Sequence, residues 1–143
     1  MKNWYLALGF SYRGWVGSFY PACFSHRNYL PYYSKYFNKV ELGTTFYSIP
    51  QPATVQSWCN ITPVDFRFSL KTPRRITHEL GVKRAHGLMI EFLDSMHPLG
   101  EKLGSILIQL SPKYSQVNFS VLGEFFESIF YTYKFAIEFR HES

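Results

Sequence analysis

Ionisable and amide side chains recur at alternate positions of short apolar segments: Glu41 in one, Arg67, Ser69 and Lys71 in the next, then Gln109, then Glu138 and Arg140. A spacing of two puts each set on one face of an extended strand. Glu41, Lys71, Glu138 and Arg140 come from three segments. Carboxylates and cations that converge in this way shift one another's pKa values and supply candidates for general acid and base, with Lys71, Glu138 and Glu41 as the catalytic set. Lys71 has two possible roles. If the carboxylates dominate, it is a fixed cation for a substrate anion; if cationic neighbours and desolvation dominate, it is a base or an amine nucleophile able to form a Schiff base. Two carboxylates against the single Arg67 favour the fixed cation. The competing reading is a structural ion-pair layer with no chemistry of its own.

A second constellation follows Lys71 directly. Lys71, Arg74, Arg75, Lys83 and Arg84 are five of the fifteen Lys and Arg residues, with Glu79 the one acidic residue among them. Arg74 and Arg75 have the fork geometry for phosphate or carboxylate, and His78 titrates near neutrality. The alternative is a solvated basic loop. Tyr12, Trp15, Phe19, Tyr20, Phe46 and Tyr47 add flat apolar faces suited to sugar rings or bases. Tyr12, Trp15 and Tyr47 are the expected site residues, and Phe19 and Phe46 the expected packing. Glu41, Glu138, His141 and Glu142 give weak metal-ligand spacing, so no metal is assigned. His26, His86 and His97 read as surface residues. Neither a nucleophilic-serine elbow nor a phosphate-binding glycine loop occurs, and no cofactor is assigned.

The elements that must position these groups follow from composition and pattern. The chain has 143 residues, 46% apolar and 20% aromatic, with a net charge of +5. That composition belongs to a globular chain with a real core, expected as one domain over 1–143. Two cysteines without CxxC spacing suggest neither a disulfide framework nor a zinc site and fit a reduced, cytoplasmic setting. The apolar run from Trp4 to Phe10 is too short to span a bilayer, so no membrane is expected. Strands are expected at 5–11, 39–47, 65–71, 105–110 and 134–140. Helices are expected at 29–37, at 53–59, over the Met89–Met96 region ended by Pro98, and from an Asn118 cap to Phe130. This alternation predicts an α/β protein with a parallel sheet. One polar strand face points to TIM-barrel-like β/α units around a polar lumen: an incomplete barrel of about five parallel strands and four helical connections.

At these residues the sequence resembles the YecE family, domain of unknown function 72. The resemblance runs through Gly9-Phe10-Ser11-Tyr12 with Trp15, Gly17-Ser18-Phe19-Tyr20-Pro21, Val40-Glu41-Leu42 and Thr45-Phe46-Tyr47. It continues through Phe66-Arg67-Phe68-Ser69-Leu70-Lys71 into Pro73-Arg74-Arg75-Ile76-Thr77-His78, then Leu99-Gly100-Glu101-Lys102-Leu103-Gly104, Gln109-Leu110 and Ala136-Ile137-Glu138-Phe139-Arg140-His141. It implies a TIM-barrel-like fold more than a function. Gly43 departs from the Asn usual in the family, and the chain stops where the family continues through further barrel strands. Open sheet edges in such a chain predict self-association.

Three functional readings follow. The leading one is a barrel enzyme acting on a small anionic substrate such as a sugar phosphate, with Arg74, Arg75, His78, Tyr12, Trp15, Tyr47, Gln109 and Arg140 binding it. The second is a protein that binds or processes nucleic acid, with the basic loop on phosphates and the aromatics stacking on bases. The third is a truncated fragment without independent activity.

Overall fold

The computed structural model describes residues 7–115, 119–129 and 133–141. Five strands form one sheet in the order of the chain, β1 (Ala7–Leu8), β2 (Lys39–Leu42), β3 (Arg67–Lys71), β4 (Leu103–Gln109) and β5 (Lys134–Glu138). Every neighbouring pair is parallel. Among the described residues four helices connect them: α1 (Tyr29–Tyr36), α2 (Pro52–Asn60), α3 (His86–Met96) and α4 (Phe119–Ile129). The fold is α/β, built of TIM-barrel-like β/α units. Tyr5 of the first expected strand, the Asn118 cap, Phe130 and Glu142 lie outside the described residues.

The two faces of the sheet have different chemistry, and the register shows why. Val40 is paired with Phe68 and Leu42 with Leu70, and Leu70 with Ile106. These side chains and Ile108 are buried against Leu30 and Tyr33 of α1, Val55 of α2, Met89, Phe92 and Met96 of α3, and Leu122 and Phe125 of α4. Burying each large side chain of this kind is worth about 1.5–3 kcal/mol, so the helix-covered face holds the fold. On the other face Glu41 is opposite Ser69, Lys71 opposite Leu107 and Gln109 opposite Glu138. Lys71 and Glu138 therefore share a face, as the alternation predicts. The Ser69 and Ser105 hydroxyls meet at 3.2 Å on that face.

Several boundaries differ from the expected ones: β1 ends at Leu8, β4 begins at Leu103, and β5 ends at Glu138, so that Arg140 lies beyond it. The second strand ends at Leu42, not Tyr47, since the chain winds into a 3-10 turn over Gly43–Phe46. The stretch after β3 is not an open loop: Arg75–Glu79 form a π-helical turn and Val82–Arg84 a 3-10 turn, and α3 begins at His86. α3 ends at Met96, two residues before Pro98, and passes into a 3-10 segment, His97–Lys102, in whose first turn Pro98 sits. Between Phe68 and Leu70 the β3–β4 register shifts. There a Cβ on Gly104 would approach the Phe68 carbonyl oxygen to 3.1 Å, so glycine admits the close approach of the two backbones.

Candidate functional site

In a parallel sheet of β/α units the groups available for chemistry collect at the C-terminal ends of the strands. Here a cleft of about 560 Å³ opens beyond β1, β2 and β3. Its lining includes Tyr12, His26, Glu41, Phe46, Tyr47 and Lys71. Tyr12 reaches back from the loop after β1, its hydroxyl donating to the Leu8 carbonyl. The Gly9 backbone at φ +83 makes the turn that brings it there. His26 bonds through Nε2 with the Ser11 hydroxyl. It is exposed, as expected, yet it forms part of the cleft wall. Tyr47 is 80% exposed at the rim.

Lys71 is the last residue of β3, and a buried hydroxyl holds its backbone. Beyond Leu42 strand β2 has left the sheet, so the next ladder partner for β3 is missing. Thr45 fills the gap: its Oγ1 accepts the Lys71 N–H at 3.1 Å, and the Lys71 and Leu42 carbonyl oxygens lie within reach of its proton at 2.6 and 2.8 Å. The Lys71 ammonium lies over the Phe46 ring, 4.4 Å from its centroid. Among the described residues it has no carboxylate partner. Glu41 and Glu138 share its face without pairing with it.

A second cluster adjoins the first. The Glu138 carboxylate accepts from Arg140 Nε at Oε1 and from Gln109 Nε2 at Oε2, both at 2.8 Å. These two donors, Arg140 first, hold Glu138 below the ordinary carboxylate range, helped by the charges of Arg140 and Lys71 and opposed by desolvation. It is therefore an ionised acceptor at neutral pH. His78, on the π-helical turn, packs edge-on to Phe46 at 5.5 Å between centroids, and its Nδ1 bonds with the Thr77 hydroxyl at 2.8 Å. Burial lowers its pKa, and the charges of Arg74, Lys71 and Arg140 lower it further against the opposing effect of Glu79. Phe46, expected as packing, thus contacts both the Lys71 ammonium over its face and the perpendicular His78 ring, and it lines the cleft.

The remaining expected residues fall elsewhere. Arg74 pairs with Glu79 at 3.7 Å on the surface, where such a pair contributes little. Arg75, Lys83 and Arg84 are exposed. Trp15 packs among Tyr12, Phe19 and Tyr20, at 4.9 to 6.1 Å between ring centroids, and does not line the cleft. Phe19 packs against Tyr32, Tyr36 and Phe37, as expected. Among the described residues no three His, Cys, Asp or Glu side chains gather as metal ligands. No helix there is long and apolar enough to cross a membrane.

Comparison with known proteins agrees with this architecture. Protein YecE of Escherichia coli K12 is 34% identical over 109 residues, an alignment covering 76% of this chain and 40% of YecE. The crystal structure of a DUF72 family protein from Thermotoga maritima MSB8 superposes with a TM-score of 0.78 at 34% identity, covering 96% of this chain and 55% of its own. Another from Enterococcus faecalis V583 gives 0.73 at 28% identity, covering 94% and 50%. The chain spans 40% of YecE and about half of these structures. The model of the family described as "Protein of unknown function DUF72" matches residues 7–143, the segment that supplies all five strands and both clusters, and the chain belongs to that family.

Proposed function

We propose that the C-terminal rim of this sheet binds a small, polar, ring-bearing anion such as a sugar phosphate, as the substrate site of a cytoplasmic enzyme. The observation that carries the reading is the Lys71 ammonium, set over Phe46 at the edge of the 560 Å³ cleft and without a carboxylate partner among the described residues. A cation placed by backbone and ring, not neutralised by a neighbour, is available to an incoming anion. Tyr12, Phe46 and Tyr47 offer flat faces to a sugar ring beside it. Glu138, ionised and oriented by Gln109 and Arg140 in the adjoining cluster, is in this reading the proton acceptor, and Glu41 the carboxylate that lines the cleft.

The test is calorimetric titration with a monosaccharide phosphate, in competition with inorganic phosphate. Loss of a charge-assisted contact is worth about 1.5–3 kcal/mol, so Lys71→Met is expected to weaken binding about 10- to 100-fold. Unchanged affinity in a folded Lys71→Met variant refutes the assignment. Exposed Arg75, Lys83 and Arg84, with Tyr47 at the rim, favour a second reading in which the partner is a nucleic acid. Tight oligonucleotide binding that weakens steeply with salt, and less steeply after replacement of Arg74 and Arg75, selects it over the first.

A further inference from the structure

We propose that this rim takes a doubly charged oxyanion and that His78 picks up a proton as the anion binds. The inference rests on the anion-site reading above and adds the charge class of the ligand and a coupling to pH. Its basis is where His78 sits. The imidazole shares Phe46 with the Lys71 ammonium: it packs perpendicular to the ring, 5.5 Å between centroids, while the ammonium lies over the ring 4.4 Å from its centroid. Arg74 and Glu79 belong to its own segment, Lys71 to the end of β3, and Arg140 to the segment after β5; these are the charged groups acting on it. Burial first, and then the excess positive charge of three cations over one carboxylate, favour the neutral form of the unliganded ring.

A dianion placed among these groups reverses the balance. It offsets the repulsion from Lys71, Arg74 and Arg140 and makes the imidazolium favourable. The first ring nitrogen is already prepared for either state. A threonine hydroxyl both donates and accepts, so Thr77 Oγ1 bonds Nδ1 whether or not that nitrogen carries a proton. The other nitrogen, Nε2, has no hydrogen-bond partner among the described residues and is available to the anion. A monoanion offsets less of the repulsion than a dianion, so the coupling favours sulfate-like and phosphate-like groups over a carboxylate. By linkage, affinity rises as pH falls through the liganded pKa of His78 and levels off below its unliganded value. Each unit of upward shift on binding corresponds to about a tenfold gain across that window.

Inorganic sulfate is the probe, because it stays a dianion from pH 5 to pH 8 and any proton taken up belongs to the protein. Calorimetry of sulfate binding at pH 7 in buffers of different ionisation enthalpy is expected to show net proton uptake, which His78→Gln removes. His26→Gln separates this from the histidine that lines the cleft and is expected to leave the uptake in place. NMR titration of the wild-type His78 ring, free and with saturating sulfate, gives the same answer without relying on a variant and is expected to show an upward-shifted midpoint. Sulfate binding with an unmoved His78 midpoint overturns the coupling but leaves the anion site standing. No binding of sulfate, phosphate or a sugar phosphate at any of these pH values overturns both.

Discussion

Thr45→Val tests whether a single buried hydroxyl holds the end of β3, and with it Lys71. Valine keeps the shape of threonine and removes only the polar atom. In the native protein Thr45 is 1% exposed and its Oγ1 replaces the ladder partner that β2 no longer provides. The substitution leaves the Lys71 N–H without its acceptor at 3.1 Å and the Lys71 and Leu42 carbonyls without the donor they share. A buried donor left unsatisfied costs about 1–3 kcal/mol. For a chain of this length the entropy of unfolding near the midpoint is about 0.3 kcal/mol/K, so a loss of about 2 kcal/mol lowers Tm by about 7 °C. Urea denaturation followed by circular dichroism and tryptophan fluorescence measures it directly, and Thr45→Ser, which keeps the hydroxyl, should recover most of the loss. A valine variant within about 0.5 kcal/mol of the parent would refute the claim that this hydroxyl does the work of a strand.

Two glycines should respond to alanine to very different degrees. Gly81 has φ +72 and ψ 151, and a Cβ there would sit 2.7 Å from the Tyr114 hydroxyl oxygen that accepts the Val82 N–H. Gly81→Ala is expected to cost about 2–3 kcal/mol in urea unfolding, whereas Gly43→Ala, which meets nothing within 4 Å, should lie within about 1 kcal/mol of the parent. Glu138 should leave a signature in acid. Its folded pKa lies below 4.5, so the stability it contributes is present above that value and is lost as pH falls through the folded one. The difference in urea midpoint between the parent and Glu138→Gln should therefore close as pH drops below 4.5, and a difference independent of pH would count against the Arg140 and Gln109 contacts as its source.

Much of the fold was legible because a sheet buried on one face and polar on the other writes itself in period two. Val40, Leu42, Phe68, Leu70, Ile106 and Ile108 alternate with Glu41, Ser69, Lys71 and Gln109, and the register confirms both sets. What misled was the run Thr44-Thr45-Phe46-Tyr47. Its β-branched and aromatic residues fit a strand by propensity, yet Thr45 is needed as a side-chain partner for Lys71 and Phe46 as a platform for its ammonium. Both demands come from β3, far along the chain, and no local pattern carries them. Lys102 hides its role in the same way: its ammonium binds the Cys59 and Thr62 carbonyls at 2.6 and 2.7 Å and so caps the end of α2 from across the sequence.

For the candidate site the sequence carries which face each residue takes and not the pairings, and the reason is height along the strands. Alternation assigns a side chain to a face; it does not say which residues of different strands stand level. Lys71 is level with Leu107, and Leu107 with Ala136, so its cross-strand neighbours toward β5 are apolar. Glu41, opposite Ser69, is one pleat repeat lower, and Glu138, opposite Gln109, is one repeat higher with both oxygens already taken. The register shift between Phe68 and Leu70, which Gly104 admits, brings Gln109 and Glu138 one residue nearer the level of Lys71 without making them level. Counting carboxylates against cations in the sequence therefore reached the fixed-cation role for Lys71 through pairings the structure does not contain. The proposed role rests instead on the Phe46 ring beneath the ammonium and the Thr45 hydroxyl behind the backbone, which position the charge without neutralising it.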